Sequence, residues 1–155
     1  VGVEQFGKGN VWASAKEAGI WRNIPFLASN FNAVTSTWTI IKTDIITNRY
    51  CRIGNTIIWV VDIGGSSSFS GALTSSIFIK APVKNFNLLY KSMNFGVVSN
   101  ATAAAASVEI MGEEDPIDFP CQAQIRILPS VQFKPAALYV KFVATYECDN
   151  PNLIL

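Results

Sequence analysis

Histidine is absent from this chain of 155 residues, and that one absence removes much of the usual chemistry. Ser-His-Asp and Cys-His nucleophile systems need an imidazole to move a proton, and His-based metal sites need one as a ligand, so neither can be assembled. Charge is scarce as well. Charged residues make up 15% of the chain, against a typical share of about 25%. Twelve basic residues nearly balance eleven acidic ones, and with no basic cluster among them, phosphate-driven binding to nucleic acid is not expected. The apolar run at residues 57–61 falls far short of the ~20 residues of a membrane span. No membrane insertion is expected, and no secretion-signal pattern opens the chain. Cys51, Cys121 and Cys148 are an odd set without C-x-x-C spacing. They imply neither a disulfide framework nor a zinc site and read as buried small hydrophobes, which fits a reducing compartment. A phosphate loop is missing too, because Gly64-Gly65 and the serines after it precede strand text and not a helix. Repeats, heptads and collagen-like periods are absent.

What remains is apolar and β-branched. Apolar residues are 50% of the chain, and its length suits one domain with a sizeable core. So little charge on so apolar a chain favours burial against other subunits. The chain starts at Val1 without Met, which reads as a piece of a longer protein. Residues 1–25 read as an N-terminal arm, with a short helix-forming stretch stopped by Gly19 and with Trp12 and Trp21 docking on the β-domain or a neighbour.

Residues 26–155 alternate β-branched runs with turn text, the spacing of an all-β antiparallel sandwich and not of β-α-β units. Strands are expected at 38–46, 49–53, 56–63, 75–81, 88–98, 107–111, 122–128 and 138–147, with loops at 64–71, 82–87, 100–106, 112–120 and 129–136. Gly54-Asn55 is a tight-turn pair that makes an antiparallel hairpin of the text on either side, Ile45 to Ile53 and Thr56 to Ile63. Read with period two, residues 56–63 and 138–147 are apolar on both faces, so both faces need a cover. These two strands are the candidates for a subunit interface, unless the N-terminal arm covers one of their faces. Leu153, Ile154 and Leu155 at the C-terminus should be docked as well.

The phrase Tyr50-Cys51-Arg52-Ile53-Gly54-Asn55-Thr56, followed by a β-branched strand and then by Ser76-Ile77-Phe78-Ile79-Lys80-Ala81-Pro82, resembles the head domains of bacteriophage tail fibres and related receptor-binding virion proteins. The resemblance implies a jelly-roll-like fold and a homotrimer made in the host cytoplasm and carried in the virion. It also implies a non-enzymatic role, binding a host-surface glycan or protein and contacting other virion proteins. Two alternatives are a structural virion protein, such as a capsid decoration or baseplate jelly roll, and a depolymerase accessory domain.

Receptor contact is expected from the loops at 64–71 and 112–120. Phe69 in the first loop, and Glu113, Glu114, Asp115 and Phe119 in the second, are the candidate receptor-binding residues. Aromatic rings stack on sugars, and carboxylates bond hydroxyls. The competing reading of Phe69 is an ordinary core aromatic. The acidic cluster, with Asp118 beside it, offers the oxygens of a glycosidase carboxylate pair or a Ca²⁺ site, and a solvated loop is the simpler reading. No catalytic residue, metal or cofactor is assigned.

Overall fold

The protein is described by a computed structural model covering residues 19–64, 67–83, 92–112, 121–129 and 131–148. Trp12, the acidic cluster with Phe119, and the C-terminal Leu153–Leu155 segment lie outside the described residues. The fold is the all-β antiparallel sandwich expected of the strand text, a large curled sheet with a second small one. No α-helix occurs among the described residues, which contain eleven strands.

The hairpin is built where Gly54-Asn55 places it. Strand β4 (Ile45–Ile53) pairs with β5 (Thr56–Ile63), and Ile53 faces Thr56 across a two-residue turn. Gly54 takes φ +61 at the first turn position, a conformation that Gly adopts without steric cost. The text at 38–46 and 49–53 is divided differently from its expectation. Strand β3 is Ser36–Thr39, a 3₁₀ turn (Lys42–Asp44) follows, and β4 runs unbroken through residues 47 and 48. Asp44 causes the break, because its buried carboxylate accepts the Ile41 backbone N–H at 2.8 Å and closes the turn.

Three strands stand where loops were expected or outside the expected text. β1 (Arg22–Asn23) pairs with β4, and Gly19 and Ile24 donate their backbone N–H groups to Arg52 and Asn48, so residues 19–24 run along β4. β2 (Phe31–Ala33) pairs with β7 (Ile77–Lys80). β6 (Ser68–Gly71), inside the expected loop at 64–71, pairs with β3 as a separate two-stranded sheet. The expected loop at 100–106 is likewise a strand. β8 (Ser92–Asn100) turns at Ala101, φ 69, into β9 (Thr102–Met111), whose alanines 103–106 pair with Gly96–Ser99. Alanine has little strand preference of its own, and pairing with β8 on one side and β10 (Gln122–Ile127) on the other overrides it.

Sheet order is β1-β4-β5-β11-β8-β9-β10-β7-β2, with β11 spanning Tyr139–Glu147. β8, β9 and β10 form a meander, and β11 returns to lie beside β8, the spatial order of a Greek key. Curling closes this sheet over its own inner face. Ile57, Trp59, Val61 and Ile63 of β5 and Val140, Phe142 and Ala144 of β11 share one cluster with Ile77, Ile79, Val108, Ile110 and Ile125. Each fully buried side chain of this size contributes about 1.5–3 kcal/mol of transfer free energy. Trp59 packs edge-on against Phe142 at 5.3 Å, and its indole N–H donates to Asn48 Oδ1 at 2.8 Å.

Tyr146 ends the inner row of β11. Its hydroxyl donates to the Val83 carbonyl at 2.8 Å and accepts the Val83 N–H at 3.2 Å, tying the chain after β7 to β11. Burial pushes the phenol well above its usual range near pH 10, the thiols of Cys121 and Cys148 add to the shift, and the Val83 hydrogen bond opposes it. Because the folded value is raised, stability is intact below about pH 10, where even the unfolded phenol keeps its proton. Above that, the unfolded state ionises first, and stability falls by about 1.4 kcal/mol per pH unit. Thermal melts between pH 8 and 12 should show this slope in the wild type and a flatter one in Tyr146→Phe. Parallel curves would discard the assignment.

Candidate functional site

Alternation along β5, β11, β8 and β9 turns a second set of side chains away from the core. Ile58 and Val60 on β5, Tyr139 and Val143 on β11, and Met93, Phe95 and Val97 on β8 all lie on this outer face, and registry places them side by side: Val60 opposite Val143, Lys141 opposite Val97, Val97 opposite Ala105. Phe95 is 67% exposed and Val143 55%. Ala103 and Ala105 of β9 continue the face with small side chains. Four strands at about 4.8 Å spacing and four residues of strand length give a mostly apolar patch of roughly 19 by 14 Å, within the size that the largest patch of a single domain commonly reaches. Lys141 lies inside the patch, opposite Val97 and 3.7 Å from Asp62, and Glu109 and Arg126 flank the far side along β9 and β10.

The two-faced character read for residues 56–63 and 138–147 is therefore real for β11, whose outer residues are exposed, while Ile58 and Val60 of β5 are half-buried. The sequence text assigned no part of this face to β8, because Met93, Phe95 and Val97 alternate with Asn94, Gly96 and Val98, and only the registry shows which set points outward.

A second feature lies at the β1 end of the sheet. Residues 23–26, leaving β1, and residues 42 and 45–49, at the start of β4, line an open cleft of about 700 Å³. Asn23 and Phe26 line the first side, and Lys42, Ile46, Asn48 and Arg49 the second. The Arg49 guanidinium sits 4.8 Å from the centre of the Trp21 ring, a cation–π contact that holds its side chain in place. Trp21 of the arm is thus docked on the β-domain.

The expected receptor residues fare differently. Phe69 is a correction: it lies in β6, is only 5% exposed, and stacks between Trp38 at 5.8 Å and Phe133 at 5.6 Å. Its ring belongs to the core and cannot meet a receptor, since pairing of β6 with β3 turns it inward beside Trp38. Glu113, Glu114, Asp115 and Phe119 fall outside the described residues. No disulfide joins the three cysteines, and all three are buried. Among the described residues no helix is long and apolar enough to cross a membrane, and no three His, Cys, Asp or Glu side chains gather as a metal site. No protein-family model, curated protein or solved structure matches this chain.

Proposed function

We propose that this is a non-enzymatic assembly and attachment domain of a virion appendage, a trimer of identical chains whose remaining surface contacts a host-surface glycan or protein. The apolar outer face of β5, β11, β8 and β9 carries the assembly half of this reading. Its occupant is a second copy of the chain. A stable interface removes about 800 Å² from each partner, with an apolar centre and a polar rim, and the face supplies such a centre with Phe95 and Val143 in its middle. The face carries both signs, Asp62 and Lys141 paired within it and Glu109 and Arg126 beside it, so a copy of itself meets no block of like charge. The low charge of the whole chain points the same way. Trimeric order and the attachment role rest on the resemblance of the 50–82 text to tail-fibre heads.

Light scattering should report three times the 16.9 kDa chain mass, and the double variant Phe95→Lys/Val143→Lys should be a folded monomer with an unchanged circular dichroism spectrum. A wild-type mass equal to one chain at every concentration would overturn the assembly reading. A glycan screen on the assembled protein that returned no ligand would favour a purely structural virion role instead.

A further inference from the structure

The outer face carries an ion pair inside its apolar surface. Registry places Thr47, Asp62, Lys141, Val97 and Ala105 in one row across β4, β5, β11, β8 and β9. Val60 and Val143 lie in the row on one side of the pair, and Tyr139 and Ala103 in the row on the other. The two charged groups are presented unequally. The Lys141 side chain is 73% exposed and that of Asp62 26%, so the ammonium stands clear of the face while the carboxylate is recessed. Their separation of 3.7 Å exceeds the ~2.7–2.9 Å of a charge-assisted hydrogen bond. Attraction keeps Lys141 near Asp62, but water serves its N–H donors, and the carboxylate keeps its acceptor sites open. An exposed pair of this kind contributes little within its own chain, and the flexible four-carbon stem of Lys141 can reach outward.

Burial changes the balance. When a second copy covers the face, the Lys141 ammonium loses its water and needs an acidic acceptor in hydrogen-bonding geometry, because a buried cation without one is strongly unfavourable. The other charged groups of the face are placed elsewhere: Arg49, diagonally across from Asp62, lies over the Trp21 ring at 4.8 Å, and Glu109 and Arg126 stand at the far side on β9 and β10. Asp62 is the acid that every copy presents inside this same patch. Around a closed ring of identical chains, a contact from Lys141 of one copy to Asp62 of the next repeats at every interface and leaves neither group over.

We infer that Lys141 and Asp62 set the register of the assembly, Lys141 of each copy pairing with Asp62 of the next while the apolar rows beside them supply the buried area. The inference deepens the assembly half of the proposed function and rests on it. Apolar contact is non-directional, and the pair selects one placement of the face among those that bury similar area.

The test uses two charge reversals, Lys141→Asp, which puts two acids in the pair, and Asp62→Lys, which puts two cations there. Each should keep the circular dichroism spectrum of the wild type, and each alone should assemble at least about tenfold more weakly, read by light scattering over a concentration series. Mixed in equal amounts, they should form assemblies containing both chains, at least about fivefold tighter than either variant alone. A ring of three built from them retains one mismatched contact, so the mixture should fall short of the wild type. Asp62→Asn and Lys141→Gln create no like-charge pair. They should weaken assembly at least about threefold, and they stand in for a reversal that prevents folding.

Variants that assemble as tightly as the wild type would put the pair outside the interface, overturning the inference while the assembly reading stands. Rescue by the double swap Lys141→Asp/Asp62→Lys without rescue by mixing would mean that the pair acts within one chain, and the inference would again fail. A wild-type mass of one chain at every concentration would overturn the assembly reading and the register pair together.

Discussion

Phe69→Ala is expected to lower the stability of the fold by about 3–5 kcal/mol, the usual loss for removing a buried aromatic ring. The ring stacks between Trp38 and Phe133, Trp38 in turn meets Phe31 edge-on at 5.6 Å, and Phe31 stacks on Phe26 at 5.9 Å, so five rings form one continuous row. Removing a ring from within the row opens a cavity that its neighbours cannot close, because each belongs to a different segment fixed by its own pairing. The loss is a large fraction of the roughly 5–15 kcal/mol by which domains are stable. Urea titration should show a lower midpoint with an unchanged slope. A loss below about 1 kcal/mol, the range of surface substitutions, would mean that the ring is on the surface after all.

Gly96→Ala is expected to cost about 3 kcal/mol, at the upper end of what overpacking does, although it adds a single methyl group. A Cβ at this position would lie 2.6 Å from the backbone oxygen of Lys141 and 2.8 Å from Cβ of Phe142. Neither atom is the free end of a side chain. Both belong to β11, and Gly96 is registered directly opposite Phe142, so the clash can be relieved only by separating β8 from β11. Since those strands carry Phe95 and Val143, the variant should lose the proposed assembly together with stability. Melting temperature and mass measured on one sample would check both, and a variant as stable as the wild type would show that the two strands can part freely.

Legibility from sequence followed how local each interaction is. The β4–β5 hairpin could be read because its turn pair and its β-branched run are adjacent in the chain, and the structure reproduces Thr56–Ile63 as a strand. Strand β9 could be read only in its second half, at 107–111, since Ala103–Ala106 has no local preference for extension and takes it from neighbours on both sides. Phe69 sits in Ser/Gly text that signals a loop, and the partners that bury it, Trp38 and Phe133, are 31 and 64 residues away. The cleft is similarly hidden. Lys42 and Arg49 lie on the far side of some 20 residues from Asn23 and Phe26, and no spacing rule connects them. The apolar face was half visible, on β5 and β11, because period-two alternation is a local signal, whereas the addition of β8 depends on a crossover.

Both outer margins of the nine-stranded sheet come from one short stretch of chain, β1 at one end and β2 at the other. A bare margin of backbone N–H and C=O groups is a template on which any extended chain can add itself, and repeated addition produces fibrils. In this molecule residues 19–24 occupy the margin of β4 and Phe31–Ala33 that of β7. The replacement margins are only two and three residues long, and Arg22, Asn23 and Asn32 make them polar. Growth strand by strand is thereby blocked, while the broad apolar face stays open. The proposed assembly through that face ends in a closed particle, whereas addition at a margin has no natural end.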